Sequence, residues 1–307
     1  MKSTSLPPVS RFSHSAMSTE FELLLPGEGT PHSQGAAQAA FAEIDRLERL
    51  FSRFDPRSDI SRINRLQSGE SLRVGIEVVE CLDLAFRLRG ETLGAFDADY
   101  RSPEKPAEKS PIPAVREGSW EAACPVELVQ FSDGFEVSVT RSVDLDLGGI
   151  GKGYALDQVK DILEDWEHAD ALLHAGTSTA LAWGDPAGGQ GENSGWPVGV
   201  AGPWAGPEVP GRVVLQDRAL SGSGIEVKGE HVVDPLSGRP AAGHPAAWVS
   251  HPFAAAADAL STAFMVMQTA QVEDFCQHHP EVWALVINER KKCTIFNRGI
   301  VAVDTAR

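Results

Sequence analysis

The sequence predicts an α+β fold. Two observations carry that reading. Apolar residues recur at helical spacing in several stretches, and short apolar runs bounded by turn residues read as strands between them. The chain also shows neither heptads nor an internal repeat, which sets aside coiled coils and solenoids. Its 307 residues, 42% apolar and 23% charged, suffice for a sizeable core.

The elements follow in order. Residues 1–15 are expected as a flexible tail and 16–307 as one domain. Residues 21–25 read as a strand. A helix is expected over 36–54, because Phe41, Ile44, Leu47, Leu50, Phe51 and Phe54 keep a helical period. Val78, Val79, Leu82, Ala85 and Phe86 mark a second helix that ends near Gly90. Residues 102–117 hold four prolines and read as a loop. Residues 135–147 alternate as a strand does, then Gly148, Gly149, Gly151 and Gly153 form a turn into a helix that runs to about residue 166. Residues 171–183 are apolar and strand-like, and 185–195 are glycine-rich. Short strands are expected at 198–201, 213–215, 232–233 and 247–250. Helices are expected at 254–267 and 272–278, with closing strands at 282–287 and 294–296.

The charge balance narrows the function. The chain has 27 basic and 43 acidic residues, a net charge of −16, and such a surface repels nucleic acid. Cys81, Cys124, Cys276 and Cys293 show no zinc or redox spacing and read as free thiols of a reducing compartment. The first ten residues have no apolar core of a signal peptide, and no run reaches the length of a membrane span. The expected location is cytoplasmic, with no membrane segment.

The strongest local feature is Asp144-Leu145-Asp146-Leu147-Gly148-Gly149-Ile150-Gly151-Lys152-Gly153-Tyr154-Ala155. A strand, a glycine turn and a helix in that order present backbone N–H groups at a helix N-terminus, where an anion is favoured. Lys152 could neutralise a phosphate there. The pattern is not a Walker loop, because Gly153 follows the lysine, and it lacks the Rossmann glycine spacing. It fits equally a tight turn that only needs small residues. Asp258 and Thr262 lie four apart on a predicted helix and share a face. That carboxylate and hydroxyl suit Mg²⁺, although a threonine bonded back to its own helix gives the same pattern. His231 precedes a Val-Val-Asp-Pro turn and is the one histidine singled out. Gly94-Ala95-Phe96-Asp97 follows the second helix.

Together these segments resemble the FAD:protein FMN transferases, once described as thiamine-biosynthesis lipoproteins. Met17-Ser18-Thr19 is similar to the family's Met-Gly-Thr, and 61–64 to its Ser-x-x-Asn. Residues 94–97 match Gly-x-Phe-Asp, and 146–155 match Asp-Leu-Gly-Gly-Ile-x-Lys-Gly-Tyr-Ala. Residues 231–238 and 257–262 follow in family order, and the resemblance spans roughly 16–300. It implies antiparallel sheets flanked by helices. It also implies an enzyme that uses Mg²⁺ to move FMN from FAD onto a threonine or serine of an acceptor flavoprotein, releasing AMP. By the family pattern Asp258, Thr262 and the Gly149 carbonyl would hold the metal. Asp146, Lys152, Met17, Ala95, Phe96 and Asp97 would contact FAD, and His231 would contact FAD and activate the acceptor hydroxyl. An FAD-binding protein without transfer activity and a metal-dependent FAD pyrophosphatase are the alternative readings.

The chain departs from that pattern. Ala98-Asp99-Tyr100 replaces a Gly-Pro-Leu turn, Thr177-Ser178 replaces a Gly-Asp pair, and Ser221-Gly222-Ser223-Gly224 replaces Ala-Thr-Ser-Gly. No lipobox cysteine is present in the sequence.

Overall fold

The computed structural model describes residues 8–102, 124–189, 194–200, 209–225 and 232–304. A central eight-stranded sheet organises them. Its strands, in spatial order, are β1 (Val9–Ala16), β2 (Thr19–Pro26), β6 (Ala171–Ala175), β7 (Thr179–Trp183), β10 (Arg218–Gly224), β11 (Ala246–His251), β12 (Trp283–Ile287) and β13 (Cys293–Phe296). Two three-stranded sheets accompany it. One runs β14 (Ala302–Asp304), β9 (Arg212–Leu215), β8 (Trp196–Gly199), and the other runs β3 (Ser71–Val74), β5 (Gly134–Val139), β4 (Val126–Phe131). Every neighbouring pair is antiparallel. The helices are α1 (Pro31–Phe51), α2 (Asp59–Ile63), α3 (Ile76–Glu91), α4 (Gly151–Asp165), α5 (Ala254–Val266) and α6 (Thr269–His278). The α+β expectation, with antiparallel sheets and flanking helices, holds.

Strand alternation builds two cores on the two faces of the central sheet. Phe21, Leu23, Leu173, Leu181, Val249 and Val286 face α1, α4 and α5. Leu172, Ala182, Leu220 and Leu285 face the other way, against Trp196, Val198, Val213 and Leu215 of β8 and β9. Strands covered on both sides carry apolar residues at every position. That is why 171–183 read as one continuous strand: it is a hairpin, β6 and β7, turning at residues 176–178. Gly176 supplies a positive φ at that turn.

Several expectations are corrected. The tail expected to residue 15 is already a strand from Val9, paired along its length with β2. Helix α1 begins five residues before the periodic stretch, because Thr30 caps it, Pro31 opens it and Ser33 closes the capping box. It ends at Phe51, and Phe54, expected on its apolar face, is 86% exposed. The strand expected over 135–147 stops at Val139. Beyond it the backbone finds partners off the ladder: Asp144 N–H donates to Asp99 Oδ1 (2.8 Å), Leu145 N–H to Asn64 Oδ1 (2.7 Å) and Asp146 N–H to Ala98 O (2.8 Å). Residues 232–233 form only an isolated bridge, Val233 to Pro240. Strands β3, β4, β10 and β14 and the short α2 were absent from the sequence reading, and β10 (RALSGSG) hides because glycine and serine alternate where branched residues usually stand.

All four cysteines are free, and burial pushes the Cys276 thiol up to about 12, so it stays protonated. Among the described residues no helix is long and apolar enough to cross a membrane. The proline-rich loop lies, from residue 103 onward, outside the described residues.

Candidate active site

The glycine segment sits where α4 begins, and α5 lies beside it. None of Gly148, Gly149, Gly151 and Gly153 has a positive φ, so their small size matters through contact and not through dihedral freedom. A Cβ on Gly149 would stand 3.2 Å from the Phe96 ring and 3.5 Å from Thr262 Oγ1. A Cβ on Gly153 would stand 2.2 Å from Ala254 O. At Gly153, therefore, α4 touches the backbone of the first turn of α5.

Asp157, one turn further along α4, completes this contact. Its carboxyl accepts the N–H groups of Ala254 (2.7 Å) and Ala255 (2.9 Å), which α5 cannot satisfy from its own N-cap, Phe253. Burial raises Asp157 to about 7 against the lowering effect of those two amides.

This packing brings four of the expected residues together. Asp258 is buried in α5, and its Oδ2 accepts from Lys152 Nζ (3.1 Å) and Gly153 N–H (3.4 Å). Lys152 Nζ also donates to Gly148 O (3.0 Å). The carbonyl engaged here is thus that of Gly148, beside the expected Gly149. Thr262 Oγ1 donates to Asp258 O (3.3 Å), the back-bond that its i+4 spacing allows, and still faces Gly149.

Sequence reasoning gave no site role to the other half of this cluster, although Ser221 and Ser223 stand in a segment it had singled out. Asp258 Oδ1 accepts from Thr179 Oγ1 (3.2 Å) on β7 and from Ser221 Oγ (3.3 Å) on β10. Those two hydroxyls are 3.0 Å apart, Ser261 Oγ donates to Ser221 Oγ (3.3 Å), and Ser223 Oγ lies 2.9 Å from Ser261 Oγ. No local pattern announces such a set, because it joins two strands and a helix distant in sequence.

A second cluster forms around Asp146. Its Oδ2 accepts from Arg53 (3.0 Å) and Tyr100 Oη (3.3 Å), and its Oδ1 accepts from Gly148 N–H (2.9 Å). Arg53, which also donates to Asp144 Oδ1 (3.4 Å), keeps its Nε buried with no hydrogen-bond partner. Phe96 reaches Gly149, whereas Asp97 is committed to Arg89 (3.2 Å) and to Asp99 N–H (2.9 Å). Ala95 is buried in the core beside them. Asp99 pairs with Arg141 (2.7 Å) and accepts from Asp144 N–H, so that with the Tyr100 bond to Asp146 it ties 97–100 to 144–146. Met17 sits in the β1–β2 turn with φ +48°, its N–H on Glu48 (2.8 Å). Three residues along α1, Phe51 packs beside Gly151. His231 lies outside the described residues.

Among the described residues no group of three or more His, Cys, Asp or Glu could hold a metal. The available set is one carboxylate with hydroxyl and carbonyl oxygens. That set fits Mg²⁺, which takes one or two carboxylates and completes its shell with water and phosphate; it does not fit a softer metal. A cleft of about 560 Å³ opens elsewhere, lined by Glu80, Phe253, Ala256 and Leu260 among others, and none of the expected site residues borders it.

Comparison with known proteins gives the family and the fold. The FAD:protein FMN transferase of Haemophilus influenzae is 25% identical over 264 residues, covering 78% of this chain and 75% of that protein. The ApbE protein of Thermotoga maritima superposes with a TM-score of 0.72 at 24% identity, over 94% of this chain and 96% of that one. The flavinyl transferase ApbE of Pseudomonas stutzeri gives 0.73 at 21%, over 97% and 98%. The flavin transferase ApbE of Vibrio cholerae gives 0.74 at 19%, over 95% and 99%. The ApbE family profile matches residues 17–286. That stretch contains every residue of the Asp258 and Asp146 clusters, and the chain belongs to the ApbE family.

Proposed function

We propose that this chain transfers FMN from FAD to a threonine or serine hydroxyl of an acceptor flavoprotein, with Mg²⁺ and with release of AMP. The observation that carries the reading is the convergence of Lys152, Gly149, Asp258 and Thr262 at the junction of α4 and α5. Family membership and the name of the Haemophilus relative support it.

In the proposed reaction the acceptor oxygen attacks the phosphorus on the riboflavin side of the pyrophosphate. A new P–O bond forms, the bridging P–O bond breaks, and AMP leaves with the bridging oxygen. Positioning and charge neutralisation dominate such a transfer. Asp258, Thr262 and the Gly149 carbonyl would hold Mg²⁺, which supplies charge neutralisation on the pyrophosphate and the leaving AMP. Lys152 and Arg53 add positive charge in a protein whose overall charge is −16. Asp146, Phe96 and Met17 are proposed to contact the dinucleotide. Ala95, which is buried, and Asp97, which pairs with Arg89 and with Asp99 N–H, are proposed to contact the dinucleotide as well. His231 is the proposed base for the acceptor hydroxyl.

Titration of the protein with FAD, with and without Mg²⁺ and followed by flavin fluorescence, tests the site. Saturable binding strengthened by Mg²⁺ is expected, followed by AMP release and covalent flavin on an added acceptor. Absence of FAD binding in both conditions refutes the reading. AMP and free FMN released without an acceptor would instead make the chain a pyrophosphatase.

A further inference from the structure

We infer that Lys152 is a tethered counter-ion that occupies the cation position at Asp258 and is displaced by the divalent metal, which frees its ammonium for the FAD pyrophosphate. The inference rests on the transferase reading of the site and adds an exchange step to it.

The geometry leads there because Asp258 has no acceptor site open. A carboxylate offers about four lone-pair sites, two per oxygen. Thr179 and Ser221 take those of Oδ1, and Lys152 and Gly153 N–H take those of Oδ2. The hydroxyls stand on strands of the central sheet, and the amide belongs to helix α4. Lys152 alone hangs on a flexible stem. Mg²⁺ lies about 2.0–2.1 Å from its oxygen ligands. Lys152 Nζ stands 3.1 Å from Oδ2, so a Mg²⁺ placed along that direction lies about 1 Å from the nitrogen. Two positive groups cannot share that position, and one must leave.

The departing ammonium has a destination. Its second partner is Gly148 O (3.0 Å), in the glycine turn that leads into α4, beside the Asp146 and Arg53 pair. Metal binding thus moves one positive charge toward the position where the pyrophosphate is expected. Thr179 and Ser221 acquire a role as positioning residues. They clamp Oδ1, so that Oδ2 is the oxygen that exchanges partners.

Isothermal titration with Mg²⁺ and with Mn²⁺, in the absence of FAD, compares the wild-type protein with Lys152→Met and Lys152→Arg. Methionine keeps length without charge and arginine keeps the charge. Lys152→Met is expected to bind metal at least about fivefold more tightly, the lower end of ordinary coupling between sites, and Lys152→Arg is expected to stay close to wild type. Saturating Mg²⁺ should also raise the Tm of Lys152→Met by more than it raises that of wild type, because the metal replaces the lost counter-ion of a buried carboxylate. A wild-type measurement stands independently of any variant: acetylation of Lys152, read by peptide mass spectrometry, should run faster with Mg²⁺ present. Metal affinity in Lys152→Met equal to or weaker than wild type, or acetylation unaffected by Mg²⁺, overturns the exchange and leaves the transferase reading standing. No metal binding by any of the three proteins, either without FAD or with saturating FAD, overturns both.

Discussion

Gly153→Ala is the sharpest test of how α4 and α5 build the site. On a free helix the change is favourable, since alanine is the better helix residue by about 0.8–1.0 kcal/mol. Here the new Cβ would stand 2.2 Å from Ala254 O, 2.5 Å from Ala254 C and 2.7 Å from Ala255 Cα. All three are backbone atoms, so no side chain can swing aside. Carbon and oxygen settle no closer than about 3.3 Å, which requires the helices to part by about 1 Å. Overpacking of this kind costs about 1–3 kcal/mol. The same shift stretches the bonds from Asp157 to Ala254 N–H and Ala255 N–H, 2.7 and 2.9 Å long, a cap worth about 1 kcal/mol. Net of the propensity gain, Gly153→Ala should destabilise by roughly 1–3 kcal/mol and weaken Mg²⁺-dependent FAD binding, since Gly153 N–H and Lys152 move away from Asp258.

Gly151→Ala is the internal control. Its Cβ would meet only Phe51 Cδ2 at 3.5 Å and Leu147 Cβ at 3.7 Å, ordinary contacts. It should be neutral or stabilising by up to about 1 kcal/mol. Urea unfolding midpoints of the two variants and wild type decide the matter. Gly153→Ala as stable as wild type, or the two variants shifting alike, would falsify the claim that glycine at 153 is demanded by backbone contact.

Further outcomes follow from other parts of the molecule. Ser18 holds φ +59° in the β1–β2 turn, where its side chain is penalised, so Ser18→Gly should raise stability by roughly 0.5–1 kcal/mol in thermal unfolding. Burial lowers the His251 pKa to about 4, and Phe253 N–H donates to its Nδ1 (3.0 Å), which fits a neutral ring. Its contribution is therefore full above about pH 6.5 and is lost, at about 1.4 kcal/mol per pH unit, as pH falls toward 4. Unfolding midpoints of His251→Gln should show a shallower decline over that window, and an equally steep one would count against it. Asp258→Asn should bind FAD with the same affinity whether or not Mg²⁺ is present, as read by flavin fluorescence; a retained metal response would remove Asp258 from the metal site.

How much of this was legible in the sequence depends on whether a feature is local. Helices α4, α5 and α6 were readable because their periodicity and turn residues lie within one stretch. Strand β10 was not, because Ser221-Gly222-Ser223-Gly224 has weak strand character and is held by neighbours on both sides. The same holds for the site. Asp258 and Thr262 share a helix, and Lys152 stands in a glycine turn, so spacing pointed to them. Thr179 and Ser221 became visible only when the sheet brought β7 and β10 under α5. Arg53 was counted toward a helix that ends two residues before it, and its contact with Asp146 spans 93 residues of chain.

The charges of the pocket can be followed pair by pair. The donors nearest Asp258 Oδ1 are neutral hydroxyls, those of Thr179 and Ser221. Asp258 is balanced by Lys152, and Asp146 by Arg53. A pocket so balanced attracts a lone divalent cation weakly, and it attracts a lone pyrophosphate weakly as well. Each ligand supplies the charge the other lacks, so Mg²⁺ and FAD should strengthen each other's binding, by the same factor in both directions. Measuring the affinity of each at zero and at saturating levels of the other gives that factor. A value of about 5 to 150 is expected for coupled sites. A factor of one would mean that the metal and the dinucleotide do not meet at Asp258, and the reading of the α4–α5 junction as their shared site would fail.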